Sequence, residues 1–199
     1  MFPAVSLMSK KNVFADYAVL VECAEAFQKT GESFIDAIHQ RIPGGSSWKP
    51  PSGLGELVCC ATNLGFGLEL YLKALLVRFG KAYPHEHDLS KLYATLPAKV
   101  KHSIERKYNE YLKFIPPEVY ASITVAKGPK VPPKWSDYAG ESQDLASVLN
   151  RSRDVFSSWR YLFEVRFEGT DPYEIHQFEY LLLDLACKAL RTQARAKLA

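Results

Sequence analysis

The sequence predicts an all-α fold, an antiparallel up-and-down helical bundle of about five helices with an irregular proline-rich insertion. Apolar residues recur at spacings of three and four along most of the 199-residue chain, which is typical of amphipathic helices. No segment shows sustained alternation of apolar and polar residues, the pattern expected of a half-buried strand. Residues 115–140 contain five prolines and two glycines, which indicates a loop insertion.

The composition is that of one folded domain, so we expect residues 1–199 to form a single domain. Hydrophobic residues make up 47% of the chain, enough for a substantial core. The net charge of +3 is too small to indicate nucleic-acid binding by itself. The four cysteines form no Cys-x-x-Cys pair, which disfavours a zinc site and favours buried free thiols in a reducing cytoplasm. No long uncharged apolar window occurs, so no membrane span is expected.

Two long helices come first. The periodicity predicts one over about 12–41, ended by a stretch rich in glycine and proline. A second is predicted over about 53–80, with Gly80 as its C-terminal stop and with Gly65 and Gly67 permitting a neighbour to approach closely at mid-helix. Its apolar residues follow a heptad seam, the pattern of a helix lying along another at a shallow angle. The residues of the seam are Leu54, Val58, Ala61, Gly65, Leu68, Leu72, Leu75 and Phe79.

Three further helices are predicted after this pair. Asp88 is the expected N-cap of the third, which Pro97 restarts as its first residue. The fourth is predicted over about 142–163 on a sharp amphipathic stripe. The last is predicted to open at Asp171 and Pro172, as a cap and first residue. The helix dipole favours basic residues near its C-terminal end, here Lys188, Arg191, Arg195 and Lys197.

The stretch GFGLELYLKALLVRFGKAYPHEHDLSKLYATLP, residues 65–97, resembles the HEPN superfamily, named from higher eukaryotes and prokaryotes nucleotide-binding. That family typically has a Glu-x-x-x-Lys-Ala-Leu-Leu-like helix, a glycine stop and then His-Asp-Leu opening the next helix. The fragment FSSWRYLFE, residues 156–164, is similar to an aromatic-Arg-Tyr-x-x-Glu segment of some HEPN branches. The matching residues of the longer stretch are Glu69, Lys73, Ala74, Leu75, Leu76, Gly80, His87, Asp88 and Leu89.

The resemblance implies an α-helical bundle that commonly forms homodimers. Many HEPN proteins are metal-independent ribonucleases that use an arginine followed, after four to six residues, by a histidine beside a late helix. The histidine and the arginine then act at the 2′-OH and the phosphate. Other HEPN proteins lack this motif and serve as binding or assembly modules.

The chain departs from the ribonuclease motif at its expected place. Arg151 and Arg153 stand there, but no histidine comes after either of them at the required spacing. Arg78 and His85 have six residues between them and satisfy the spacing, yet they lie at the end of the second helix. We therefore expect a module without catalytic activity, since the acid/base group is missing. The alternative is a metal-independent ribonuclease, for which Arg78, His85 and His87 are the candidate catalytic residues.

The run His85-Glu86-His87 raises the question of a metal site. Two imidazoles from one extended segment are only part of a site, because the other ligands must come from elsewhere. Asp88 is better explained as an N-cap that accepts hydrogen bonds from the backbone N–H groups of Ser90 or Lys91. We expect no metal and no cofactor.

Two charged pairs lie among apolar residues at helical spacing. Glu69 and Lys73, and likewise Arg160 and Glu164, are spaced i, i+4. Each is either an exposed pair, a polar network joining the second and fourth helices, or part of a ligand site, and we favour the network because buried charges must be paired. We predict that Glu69 and Arg160 share one polar cluster, so that Glu69→Ala and Arg160→Ala both destabilise and the double variant loses less than the sum.

These observations predict a cytoplasmic, dimeric HEPN-like module that is nucleic-acid-associated or defence-related, in the manner of toxin–antitoxin systems. We expect the chain to bind a second copy of itself, and RNA or a partner protein. We expect no association with a membrane. The basic surface of the last helix is interpreted as solvated, with an RNA phosphate path as the minority interpretation. A third alternative is a structural partner subunit of a neighbouring enzyme. The sequence does not distinguish this subunit from the interaction module.

Overall fold

The computed structural model describes residues 10–41, 54–82, 86–115, 123–127, 142–160 and 174–196. Helices dominate these ranges, so the all-α prediction is confirmed, with one small antiparallel ribbon in addition. In chain order the elements are α1 (Lys10–Arg41), α2 (Leu54–Arg78), α3 (Leu89–Thr95), α4 (Ala98–Leu112), β1 (Ile123–Lys127), α5 (Leu145–Arg151), α6 (Val155–Arg160), β2 (Glu174–Phe178) and α7 (Tyr180–Arg195).

Helix α2 is the centre of the core. It packs against α1, α3, α6 and α7, so its residues from 64 to 76 are all buried except Phe66 and Lys73, which are half-buried. The heptad seam therefore understates the burial, because neighbours cover every side of this helix. Among the described residues, α2 is the one helix long and apolar enough to cross a membrane, and 67% of its apolar window is buried inside the protein, as in a core helix.

The helices that flank α2 run in opposite directions. Helix α1 is antiparallel to α2, since Gly31 lies against Leu64 at one end and Tyr17 reaches Arg78 at the other. Helix α7 runs alongside α2 in the same direction, because the Cys187 thiol lies 3.7 Å from the Leu64 carbonyl oxygen while the C-terminal end of α7 lies at Arg78. These three helices all contact one another, with α3 and α6 packed on α2 and α4 packed on α7.

Two glycines of α2 allow close approach, as the sequence predicts. A Cβ atom at Gly65 would lie 2.6 Å from Val155 Cγ1 and 3.0 Å from the backbone nitrogen of Phe156, so α6 lies directly on this position. A Cβ at Gly67 would lie 3.3 Å from the Ala24 carbonyl oxygen, on the side of α1. The absence of two side chains thus lets α1 and α6 approach the core helix from different sides.

Local signals in the sequence place the end of α2 and the beginning of α3 correctly. Gly80 has φ +67°, its N–H donates to the Val77 carbonyl, and the next N–H, of Lys81, donates to Leu76. This is the Schellman arrangement, which satisfies carbonyls that the helix end leaves without partners. The Asp88 side chain accepts from Ser90 N at 2.9 Å and from Lys91 N at 3.2 Å, so the predicted N-cap is confirmed.

The fourth helix is not continuous, which corrects the prediction of one helix over 142–163. Helix α5 ends at Arg151 and α6 begins at Val155, with a turn between them. The turn has a structural use, because the carbonyl of Arg153 accepts the first N–H of α3, from Leu89, at 3.2 Å. In a continuous helix, that carbonyl would accept an N–H from the same helix. Similarly, Pro97 is the N-cap of α4 and not its first residue.

The beginning of the last helix is also different from the prediction. Residues Glu174–Phe178 form β2, which pairs antiparallel with β1 from Ile123↔Phe178 to Lys127↔Glu174, and α7 begins only at Tyr180. Strand β1, ITVAK, lies within the insertion predicted to be irregular, and its β-branched residues favour a strand once a partner is present. The capping residues Asp171 and Pro172 and the remainder of the insertion after residue 115 lie outside the described residues.

The four cysteines divide into two classes, which corrects the prediction of four buried thiols. Cys60 and Cys187 are buried, whereas Cys23 and Cys59 are exposed, and all four are free. Burial raises the pKa of the Cys60 and Cys187 thiols, so these two side chains are inert apolar core residues. Adjacent Cys59 and Cys60 point to different sides of α2, as predicted.

Replacing Gly65 by alanine should destabilise the protein although alanine is the better helix former. The added methyl group must displace a stiff valine side chain and the backbone of α6, and such overpacking costs about 1–3 kcal/mol. Gly55→Ala is the matched control, because nothing lies within 4 Å of its Cβ position and alanine should stabilise by up to about 1 kcal/mol. Urea denaturation measures both. Equal stabilisation by the two substitutions would show that α6 does not rest on Gly65.

Candidate functional site

Glu69 is a buried carboxylate in the middle of the apolar helix α2. Its side chain is 1% exposed. Lys73, one turn later on α2, donates from Nζ to Glu69 Oε1 at 2.7 Å. His87, which precedes α3, places Nδ1 3.0 Å from both carboxylate oxygens. A buried charge is tolerated only when it is paired and hydrogen-bonded, and these two partners supply both.

This contact sets the orientation and the tautomer of His87. A carboxylate paired with an ammonium group is ionised and can only accept, so the hydrogen of the neutral imidazole must lie on Nδ1. The opposite ring nitrogen, Nε2, then carries a lone pair. Because the His87 side chain is 63% exposed, the ring is fixed at one edge and accessible at the other. A histidine oriented by a carboxylate in this way can act as an acid/base group or as a ligand-binding group.

The backbone around His87 is held as firmly as its ring. Glu86 Oε1 accepts from the backbone nitrogens of His87 and Asp88, at 3.1 and 3.3 Å. Asp88 then caps α3, and Leu89 is tied to the turn between α5 and α6 through the Arg153 carbonyl. The segment that carries the imidazole is therefore fixed relative to both α2 and α6.

Helix α6 adds an aromatic ring and a cation to the same place. The Phe156 ring stacks on Phe66 of α2 with centroids 4.7 Å apart, and its centroid lies 6.3 Å from that of the His87 ring. The Arg160 guanidinium lies over Phe156, 4.7 Å from its centroid. The described contacts connect Glu69 to Arg160 through the rings of His87 and Phe156, in place of the single polar cluster predicted from the sequence. The other predicted member, Glu164, lies outside the described residues.

At the place expected for the ribonuclease motif, Arg151 is part of a structural ion pair. Its Nε and NH2 groups donate to the two oxygens of Glu179, at 3.1 and 2.8 Å, and NH1 donates to the Ser142 carbonyl at 2.8 Å. Both charged side chains are mostly buried, so the pair joins α5 to the beginning of α7. Arg153 is exposed and contacts Asp154 at 3.2 Å. The one arginine holds the bundle together and the other lies on its surface.

Arg78, the candidate from the alternative motif, caps the end of another helix. Its guanidinium donates to the carbonyls of Gln193, Ala194 and Ala196 at the C-terminus of α7, the first two at 3.0 and 2.8 Å. It also donates to the Tyr17 hydroxyl at 3.2 Å. These carbonyls are the acceptors that a helix end leaves without partners, so Arg78 has a structural role there. Its predicted partner His85 lies outside the described residues.

The described residues bring no three histidine, cysteine, aspartate or glutamate side chains together in a way that could hold a metal ion. Within the run of residues 85–87, the His87 ring is directed to Glu69 and the Glu86 carboxylate to the backbone and to Lys91, at 3.0 Å. Helix α2 therefore explains the placement of the His87 ring, and the segment before α3 explains that of the Glu86 carboxylate.

The basic residues near the end of α7 face carboxylates of α1. Arg195 donates to Glu25 at 2.8 and 2.5 Å and Arg191 donates to the same carboxylate at 3.3 Å, which holds the pKa of Glu25 below its ordinary value. Lys188 lies 3.8 Å from Glu32. These cations are balanced within the fold, which favours the solvated, ion-paired interpretation over an RNA phosphate path.

A second buried carboxylate, Asp184, lies between α7 and α1. Lys188 Nζ donates to its Oδ2 at 2.6 Å, while Oδ1 is buried and meets no hydrogen-bond donor among the described residues. Burial raises the pKa of Asp184 to about 6, with Lys188 opposing the shift and Glu32 adding to it. The folded protein therefore takes up a proton here at a higher pH than the unfolded chain does.

Part of the chain matches a known protein family. Residues 67–162 match the family model described as HEPN domain. No curated protein and no solved structure matches the chain. The match begins inside α2 and ends just beyond α6, so it contains the whole Glu69–His87 neighbourhood. This match supports the resemblance to the HEPN superfamily that the sequence motifs predicted.

Sequence reasoning found part of this neighbourhood. The Glu69–Lys73 spacing and the Asp88 cap could be predicted directly, because both depend on residues within one turn of each other. The contact between Glu69 and His87 was missed, since it joins residues 18 apart across the end of a helix and a loop. A buried glutamate on an apolar helix needs more than one partner, and that requirement is the signal that could have pointed to the histidine.

Asp184 should make the stability of the protein depend on pH. Its folded-state pKa, about 6, is above the ordinary value of 3.8, so its protonated form stabilises the fold below about pH 4 and this contribution is lost as the pH rises through 6. Asp184→Asn cannot titrate. The difference in melting temperature, wild type minus variant, should therefore fall between pH 4.5 and 7. Asp154→Asn is the control, because it removes a carboxylate that is exposed in place of one that is buried. A difference that rises with pH would contradict the assignment.

Proposed function

We propose that this protein is a HEPN module that associates with RNA or with a partner protein and does not cleave RNA. One observation carries the proposal: the arginine at the expected motif position, Arg151, is held by both oxygens of Glu179 and by a backbone carbonyl. An arginine that acts on a phosphate in the transition state needs its donors directed at the substrate. No histidine comes after it at the spacing that a HEPN ribonuclease uses.

The alternative motif supports the same conclusion from a second position. Arg78 donates to three carbonyls at the end of α7. Recruiting it to a phosphate would expose the C-terminus of that helix, which costs hydrogen bonds that the fold needs. The nucleic-acid-associated, defence-related role in the cytoplasm, and a homodimer as the working form, remain our proposals from the resemblance to the superfamily.

The runner-up function is a metal-independent ribonuclease that uses His87. The specific observation in its favour is the imidazole oriented by buried Glu69, with its other edge exposed. In that mechanism Nε2 would take the proton of a 2′-OH as the oxygen attacks the adjacent phosphorus, and the bond from phosphorus to the 5′ oxygen would break. The leaving oxygen also needs a proton from an acid, and no second titratable group is positioned for this among the described contacts of His87.

Incubating the purified protein with single-stranded RNA in EDTA tests the choice. We expect no cleavage above that of a mock purification. Cleavage that His87→Ala or His85→Ala abolishes, while the variant is still folded at the assay temperature, would establish the ribonuclease instead. Arg151→Gln further distinguishes the non-catalytic module from the ribonuclease. If Arg151 is structural, its replacement lowers the melting temperature. Its loss leaves Glu179 mostly buried without this partner, at a cost of several kcal/mol.

A structural partner subunit is the third candidate. Co-purification followed by analysis of the bound RNA and protein distinguishes it from an RNA-associated module. Stoichiometric protein without RNA would favour the subunit.

A further inference from the structure

We propose that the exposed side of α4 is a docking surface for an acidic helix of a partner protein. The inference rests on the proposed function, because it names the class of partner that a non-catalytic module would bind. The surface consists of three basic side chains, here called the basic row, and of the phenyl ring of Phe114 that follows them. The basic row is Lys99, Arg106 and Lys113.

The basic row lies on one side of α4, away from the buried side of the helix. Its members are seven residues apart, which places them almost in line along the helix, with Cα atoms about 10 Å from one another. The last of them is the C-cap and keeps helical backbone angles. All three side chains are exposed. The helix packs on α7, and its buried residues are Val100, Ile104 and Tyr108.

The excess positive charge of the chain is concentrated in this helix. Residues 98–113 contain five of the 25 lysines and arginines but only two of the 22 aspartates and glutamates, which leaves twenty of each sign in the remainder of the chain. The net charge of +3 is therefore located in α4 and its C-cap. An exposed helix with such an excess attracts an anionic partner and speeds its association.

The other charged residues of α4 are engaged outside the basic row. Glu105 accepts from the Tyr93 hydroxyl at 2.8 Å, and Lys101 donates to a backbone carbonyl of α3 at 3.4 Å. Glu110 accepts from Lys107 Nζ at 2.5 Å, and this bond, with the nearby charges of the basic row, holds the pKa of the Glu110 carboxyl below its ordinary value. Among the residues that the structure describes, no carboxylate forms an ion pair with the basic row itself.

Phe114 gives the surface an apolar anchor. It comes directly after the last cation of the basic row and is 85% exposed. In the described part of the chain, the one other large hydrophobic residue that is exposed is Val19, on α1. A phenyl ring gains free energy when a partner buries it, and aromatic anchors are typical of the residues that dominate binding at protein interfaces.

The spacing of the basic row favours an acidic helix over a nucleic acid. Residues seven apart on a partner helix recur every two turns, again at about 10 Å, so three carboxylates in a heptad row can each meet one cation. Surfaces that bind single-stranded nucleic acid combine a continuous positive groove with several aromatic rings on which bases stack. The exposed side of α4 has one cation of the row in every two turns and a single exposed phenyl ring at its end.

The test is a titration of the isotopically labelled full-length protein with a helical peptide that has three glutamates seven residues apart and a leucine at each end. We expect saturable shifts of the backbone amide resonances of α4, with an affinity that falls as salt screens the charges. A peptide of the same composition with its glutamates five residues apart, and so on different sides of the helix, should bind about fivefold more weakly.

Charge reversal of the protein locates the contact. Arg106→Glu should weaken binding of the heptad peptide about fivefold, because it replaces an attraction by a repulsion. Exchanging the central glutamate of the peptide for lysine should restore the affinity of this variant. Phe114→Ala should weaken binding about threefold. Lys29→Glu, the same charge change at an exposed position of α1, is the control and should change the affinity less than about twofold.

The melting temperature shows whether each variant is folded, and we expect it to be unchanged because the substituted side chains are exposed. If Arg106→Glu does not fold, Lys99→Glu carries the test, since it makes the same charge change one step along the basic row.

The outcomes separate this inference from the proposed function. No binding of the heptad peptide at millimolar concentration would overturn the docking surface and leave the function standing. Equal binding of the two peptides, an equal loss in Lys29→Glu or failure of the exchanged peptide to restore binding would overturn it as unspecific attraction. A single-stranded RNA oligonucleotide that shifts the α4 resonances when the peptide does not would make α4 a nucleic-acid surface and overturn it too. Cleavage of that oligonucleotide would instead overturn the proposed function.

Discussion

The arrangement of α2, α3 and α6 around the candidate site depends on one buried carboxylate, that of Glu69. Glu69 lies in the buried middle of the largely apolar helix α2, so its charge must be satisfied inside the fold. Lys73, on the same helix, donates a hydrogen bond to this carboxylate. His87, in the segment before α3, contacts it through Nδ1. The second contact fixes the loop after α2, and with it the cap of α3 and the bond from Leu89 to the turn that begins α6. The requirement for pairing thus connects three helices.

Much of the fold could be predicted because the signals were local. Gly80, Asp88 and the helical periodicity of α1 and α2 act within one or two turns, and the structure agrees with each of them. The ribbon of β1 and β2 could not be predicted, because its strands are separated by about fifty residues and each is stabilised only by the other. The break between α5 and α6 was missed for a similar reason. The Arg153 carbonyl that it frees is used by α3, which comes more than sixty residues earlier in the chain.

The sequence predicted which charged residues belong to the candidate site, but it predicted fewer of the contacts between them. The sequence singled out the charged residues but could not say which of them the fold itself uses. Three of them are now accounted for in this way: Arg151 is bound to Glu179, Arg78 to the end of α7, and Glu69 to Lys73 and His87. The fold itself therefore uses both candidate arginines, Arg151 and Arg78, and it orients the His87 ring through Glu69.

Double-mutant cycles measure the central claim, that Glu69 holds His87 directly and Arg160 only through intervening rings. Urea denaturation of Glu69→Gln, His87→Ala and Arg160→Gln, singly and in pairs, gives the coupling energies. A hydrogen bond to a charged group contributes about 1.5–3 kcal/mol, so the Glu69–His87 coupling should exceed about 1 kcal/mol. The coupling of Glu69 with Arg160 should be below about 0.5 kcal/mol, as for residues without a shared contact. A large coupling of Glu69 with Arg160 and none with His87 would contradict the claim.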